Sequence, residues 1–154
     1  MAVLVFAPDA SAQQAAEPPF ETVWIPLTET PSPSSPREIK LEGMLYRPPA
    51  PGRLPVLVFN HGSTGGGRVA PTSTEWFRYP EVARFFVNRG WAVLIPMRRG
   101  RGASGGEYLE RYDCDRAVMA AGVDRAVADL DAVLTFVSSQ PWAEIGRASC
   151  RERV

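Results

Sequence analysis

Apolar and polar residues change rhythm repeatedly along this chain, and each rhythm predicts an element. From Phe20 to Leu27, FETVWIPL, β-branched and aromatic residues dominate, and Ile39 to Tyr46, IKLEGMLY, alternates apolar with polar positions until Pro48 and Pro49. Both read as strands: alternation gives one face to a core and one to water, and proline cannot donate to a ladder. The intervening TETPSPSSPRE has its prolines too close for helix or ladder, which predicts an exposed tip joining two antiparallel strands. In LPVLVFNHGSTGGG the run Val56 to Phe59 is continuously apolar, as in a parallel strand buried on both faces. Trp76, Tyr79, Val82, Ala83, Phe86 and Val87 then recur at helical spacing, and Asn88-Arg89-Gly90 closes that helix before a second buried strand, WAVLIP. Strand, helix and strand make a βαβ unit, so the predicted class is α/β. A further helix is predicted from about Asp115 to Ser138, with Val123, Ala126, Val127, Leu130, Val133, Leu134 and Val137 on its apolar face and Asp124, Asp129 and Asp131 mostly opposite. No strand pattern follows Pro141 and Trp142 to take that face, and no internal repeat is present.

Composition narrows the partners. The 154 residues suffice for one domain, and 45% hydrophobic with 22% charged is ordinary globular composition. Seventeen basic residues balance seventeen acidic ones without a long run of either sign, which argues against a nucleic-acid surface or a basic membrane patch and for a small-molecule partner. No apolar run approaches transmembrane length. Two distant cysteines, Cys114 and Cys150, and the single His61 provide no metal-ligand spacing, so a metal cofactor is not expected. The opening MAVLVFAPDASAQQAAE contains an A-x-A site at Ala10-Ser11-Ala12 but no basic residue ahead of its apolar run. Two readings stand: a signal peptide on a periplasmic or secreted protein, or an alanine-rich leader on a cytoplasmic one.

The loop GRGASGG, Gly100 to Gly106, satisfies two motifs at once. Gly102 to Gly106 spell the G-x-S-x-G of a nucleophile elbow, and Gly100, Gly102 and Gly105 fall on a dinucleotide-binding pattern. An elbow needs its serine on a tight turn between strand and helix, whereas Ser104 lies eight residues past Pro96 and GGEYLERYD is a poor helix start. A dinucleotide site needs an acid at the tip of the next strand, but Asp124 and Asp129 fall in the predicted helix. Arg98, Arg99 and Arg101 read as solvated or paired with local carboxylates. A non-catalytic or nucleotide-binding α/β domain using the Gly100–Gly105 loop is retained as the alternative function.

VLVFNHGSTGGG and FFVNRGWAVLIPMRRGRGASGGEY together resemble the N-terminal half of an α/β-hydrolase, near the dienelactone hydrolase and prolyl-oligopeptidase-like esterase branch. The likeness runs from about Phe20 to Trp142 and rests on His-Gly after the third strand and R-G-x-G-x-S-x-G after the fourth. It implies a serine hydrolase acting on an ester or similar acyl substrate, with a structural role for the Ser104 loop. It also implies oxyanion-hole N–H groups at Ser63 and Thr64, supported by His61, Gly62 and Gly65, and no catalytic residue within this chain, because nucleophile, acid and base come later. His61 precedes any elbow, so it reads as a loop-fixing residue rather than the base; Asp113 and Asp115 read as helix caps.

Glu144 to Val154, EIGRASCRERV, resembles the translation of a common short-read sequencing adaptor, so 1–19 reads as leader, 20–143 as hydrolase domain and 144–154 as artefact. On that reading Cys150 has no native disulfide to make with Cys114. The family's strand five, next to strand three, would be missing, leaving Val56 to Phe59 with an open edge.

Overall fold

In the computed structural model, which describes residues 17–30, 35–62, 77–110 and 116–150, the first two predicted strands pair as an antiparallel hairpin. These are β1 (Glu21–Glu29) and β2 (Arg37–Tyr46), in register from Glu21↔Leu45 to Glu29↔Arg37. β3 (Leu54–Val58), α1 (Pro80–Val87) and β4 (Ala92–Pro96) form the βαβ unit, with β3 and β4 parallel and Val56 opposite Ala92. β2 joins the other side of β4 antiparallel, and α2 (Arg116–Ser139) leads into β5 (Ala143–Cys150), so the sheet order is β1-β2-β4-β3-β5. The architecture is α/β, as the periodicity predicts.

Every residue of β4 is buried, because it is covered on both faces. Ala92 and Leu94 join Ile25, Leu41 and Val56 beneath α2, while Val93 and Ile95 join Met44, Tyr46 and Leu57 beneath α1. α1 ends as its sequence says: Gly90 has φ 81°, a left-handed position that costs glycine little, and its N–H donates to the Val87 carbonyl.

Two expectations need correction. α2 is rotated from its predicted facing: Val133 and Val137 are buried, but Val123, Val127 and Leu134 are 60%, 52% and 39% exposed, and Asp129, assigned to the polar side, is 2% exposed. Arg99 draws Asp129 inward, for the reason given below. The edge of β3 is not open either. β5 pairs with it in parallel at Leu54↔Ala143 and Pro55↔Glu144 and again at Leu57↔Ser149 and Val58↔Cys150. A weakly patterned segment can form a strand when an adjacent edge offers unpaired amides and carbonyls. The pairing is interrupted, however, since Ile145 to Ala148 have only Val56 to span against.

Residues 1–16 of the leader, residues 31–34 of the proline-rich connector, Trp76, Asp113, Cys114 and Asp115 lie outside the described residues, as do Ser63, Thr64 and Gly65.

Candidate functional site

Because β3 and β4 are parallel, their carboxyl ends reach the same edge of the sheet, and side chains from the two following segments meet there. Arg98, two residues past β4, is buried. Its Nε and Nη2 engage the two carboxylate oxygens of Glu110, and its Nη1 donates to Asn60 Oδ1 and to the His61 carbonyl, both at 2.6 Å. His61 is also buried, with its ring 4.5 Å from that of Phe77. Its Nε2 accepts the Arg98 backbone N–H at 3.4 Å, which leaves the proton on Nδ1 to donate to the Gly62 carbonyl at 2.9 Å.

Burial, reinforced by the Arg98 cation, pushes the His61 imidazole down to about 4. A base depressed in the fold and ordinary, near 6.5, when unfolded gives stability that is complete above that pH and is lost as pH falls toward 4, because the unfolded chain then binds the extra proton. Wild type should therefore lose stability relative to His61→Asn across that window, with a slope approaching about 1.4 kcal/mol per pH unit. Urea melts at a series of pH values check this; parallel curves would contradict it.

The glycine loop is filled by its own chain. A Cβ on Gly100, whose φ is 71°, would lie 2.4 Å from the Tyr108 backbone nitrogen, and one on Gly106, φ 83°, would lie 2.9 Å from Arg99 Cγ. Five of its seven amides are spent internally: Gly100 N–H donates to Gly105 O, Arg101 to Arg98 O, Ala103 to Glu42 Oε2, Ser104 to Arg101 O and Gly105 to Lys40 O. A phosphate cradle needs such amides free and converging, so this loop does not form one.

Ser104 is a strut. Its hydroxyl donates to the Met97 carbonyl at 2.7 Å and accepts the Glu42 N–H at 2.8 Å, joining β2 to the end of β4. No helix occurs between Pro96 and Glu110 to make an elbow of it. Ser104→Ala would orphan a buried amide and carbonyl, and should cost about 1–3 kcal/mol in a denaturant melt. A midpoint equal to that of wild type would contradict the strut.

Arg99 points to the other face of the sheet. Its backbone N–H and Nε donate to the two oxygens of Asp129 at 2.9 and 2.6 Å, and its Nη2 donates to the Arg125 carbonyl at 3.1 Å. Glu29, at the end of β1, sits 3.5 Å from Arg99 Nη1 and 3.1 Å from Arg125 Nη2, and also accepts from Arg37 Nε at 2.6 Å. Burial pushes Glu29 up, but the guanidiniums of Arg37, Arg125 and Arg99 outweigh it and hold its carboxyl below the ordinary value. For Asp129 burial prevails over Arg99, and its carboxyl is raised. The loop arginines Arg98 and Arg99 are thus paired, as their sequence setting suggests, but buried rather than solvated.

Of the residues singled out from sequence, the structure brings His61 and Gly62 to the sheet edge and sets Ser104 apart as a support. Asn60, Arg98 and Glu110 complete the cluster; Glu110, in an irregular segment, belongs to no periodic pattern that would have revealed it. Among the described residues no group of three His, Cys, Asp or Glu could hold a metal ion, and no helix is long and apolar enough to cross a membrane.

No protein-family model and no curated protein matches the sequence. Solved structures do match the fold. The α/β hydrolase GrgF from Penicillium sp. sh18 is 22% identical with a TM-score of 0.51, over 86% of this chain and 36% of that one. A hypothetical protein, PA2218, from Pseudomonas aeruginosa is 21% identical with a TM-score of 0.55, over 96% of this chain and 39% of that one. Est1E from Butyrivibrio proteoclasticus, solved with ferulic acid bound, is 18% identical with a TM-score of 0.53, over 73% of this chain and 38% of that one. The fold is that of an α/β-hydrolase sheet, and the chain spans well under half the length of these structures.

Proposed function

We propose that this chain is the N-terminal part of a serine hydrolase acting on an ester or similar acyl substrate without a cofactor, and that the N–H of Ser63 or Thr64 is an oxyanion donor. The observation that carries the reading is the turn at the carboxyl end of β3. His61 and Gly62 leave the sheet where ligand crevices of parallel sheets form, tied down by hydrogen bonds from a buried arginine and a buried imidazole. A donor aimed at a developing oxyanion works only if it is held before the reaction starts, because any reorganisation is added to the barrier. The likeness of the fold to that of the α/β hydrolase GrgF supports the same assignment.

Attack on the acyl carbon requires a nucleophile, a base and an orienting acid, and in this reading all three belong to sequence that follows α2 in the longer protein. His61 is no candidate base: its Nε2 is occupied by a backbone N–H, and burial holds the ring neutral. The nucleotide-binding alternative loses support because five of the seven loop amides are committed to the chain itself.

The test compares this chain with the longer protein that continues past Trp142. The longer protein should hydrolyse p-nitrophenyl acetate and take up a fluorophosphonate label on serine; the 154-residue chain should do neither. A folded longer protein that neither labels nor hydrolyses activated esters would sink the proposal.

A further inference from the structure

We propose that Gly122, in α2, is a positioning residue: it lets the backbone of Leu109 and Glu110 cross the helix closely enough to deliver Glu110 to Arg98, and so holds the turn at the carboxyl end of β3. Its purpose rests on the hydrolase reading; its geometry does not. Glycine is a poor residue for a helix interior, because it loses more backbone freedom on folding than any other. Gly122 nevertheless lies six residues beyond Arg116, where α2 begins, and is buried. A methyl group placed on it would sit 3.1 Å from the Leu109 carbonyl oxygen and 3.4 Å from the Glu110 Cα. Carbon atoms at rest pack about 3.5–4.0 Å apart, so with a side chain at position 122 either the helix or the crossing segment has to move.

Neither moves without disturbing a buried ion pair. α2 is held by Asp129, seven residues and about two turns further along the same face, whose carboxylate takes the Arg99 backbone N–H and Nε. The crossing segment is held by Glu110, whose two oxygens accept from Nε and Nη2 of the buried Arg98. Arg98 spans from that carboxylate to the turn after β3, where its Nη1 donates to Asn60 Oδ1 and to the His61 carbonyl. A guanidinium is a rigid planar fork, so a displaced Glu110 either drags Nη1 with it or loses its pair. The irregular segment yields before α2 does, because the helix is braced along its length by its own hydrogen bonds. One face of α2 thus sets both arginines that follow β4, Arg99 directly through Asp129 and Arg98 through the segment that passes at Gly122. The same rotation of the helix that brings Gly122 and Asp129 inward leaves Val123 outside.

The sign of one substitution tests this. At an ordinary site within a helix, alanine in place of glycine raises the urea midpoint, whereas Gly122→Ala should lower it. In a Glu110→Gln background, where the charged fork is gone and the segment shifts more easily, the same substitution should lower the midpoint less, or raise it. Hydrogen exchange supplies a signature that general loosening lacks. Arg98 and Arg99 are both buried with Nε–H bonded to a carboxylate, and each gives its own side-chain signal in ¹⁵N–¹H spectra. Gly122→Ala should speed exchange at the Arg98 Nε–H about tenfold or more and leave the Arg99 Nε–H unchanged. A raised midpoint in Gly122→Ala alone, or equal acceleration at both arginines, would overturn the proposal. If Gly122→Ala does not fold, the protein carrying Glu110→Gln as well decides: its folding supports the relay, and its failure shows that the crossing matters without Glu110 and overturns it. In the longer protein, Gly122→Ala should lower kcat about 10- to 100-fold with KM little changed. Faster exchange at Arg98 in a longer protein that hydrolyses no ester even as wild type would defeat the hydrolase reading and leave the positioning of Arg98 standing. Hydrolysis with kcat indifferent to Gly122→Ala would defeat the positioning role and leave the hydrolase reading standing.

Discussion

Replacing Asp129 by alanine should destabilise the fold by about 3–5 kcal/mol, the range for removing one partner of a buried ion pair. Arg99 would lose the carboxylate that receives both its backbone N–H and its Nε, keeping only a 3.5 Å approach to Glu29 and the Arg125 carbonyl. Glu29 is already shared with Arg37 and Arg125, so three cations would then face one anion. Marginal stability of about 5–15 kcal/mol makes a loss of this size a large share of the whole. The burial of these charges is itself costly, so the double variant Arg99→Met with Asp129→Leu should recover most of the loss. Urea unfolding of the three proteins decides it: an Asp129→Ala midpoint close to wild type, or a double variant worse than the single, would contradict the account.

In the longer protein, Ser63→Pro should lower kcat by about 10²–10³, or about 2.7–4 kcal/mol of transition-state stabilisation, if Ser63 supplies the donor. Proline removes the N–H outright and restricts Gly62 before it to extended backbone. Because the lost interaction strengthens only as charge develops on the acyl oxygen, KM should change far less than kcat. Thr64→Pro is the companion variant: if Thr64 is the donor, the larger effect falls there. Steady-state kinetics alongside a thermal melt separates loss of the donor from loss of the fold. Unchanged kcat in both folded variants would remove this loop from the catalytic machinery.

Much of the fold could be read from the sequence because it rests on short-range pattern. The continuous apolar run in β3 and β4, the alternation in β2 and the punctuation of α1 by Asn88-Arg89-Gly90 each follow from one element's own burial or capping. The misreadings arise where a distant residue overrides that pattern. Asp129 is polar and belongs outside by composition, yet an arginine thirty residues earlier needs its carboxylate, and α2 turns to deliver it at the expense of exposing Val123 and Val127. β5 has little strand character of its own and is a strand by virtue of the β3 edge beside it. The site was half legible. His61 and Gly62 stand in a recognisable motif, whereas Glu110, twelve residues from Arg98 in a segment without helix or strand, is tied to the site only by three-dimensional proximity.

The sheet order also bears on how the chain acquires its structure as it is made. β1 and β2 can close as a hairpin as soon as they emerge, but β3 lies between β4 and β5, both of which come later, and β2 cannot join the rest until β4 exists. At about 5–20 residues per second, the ribosome takes roughly 5–20 seconds to pass from the end of β3 to the end of β5. For that interval one of the most apolar segments of the chain is in the cell without its final neighbours. Synthesis rate and chaperone supply, more than the equilibrium stability of the finished sheet, should then govern how much folded protein accumulates.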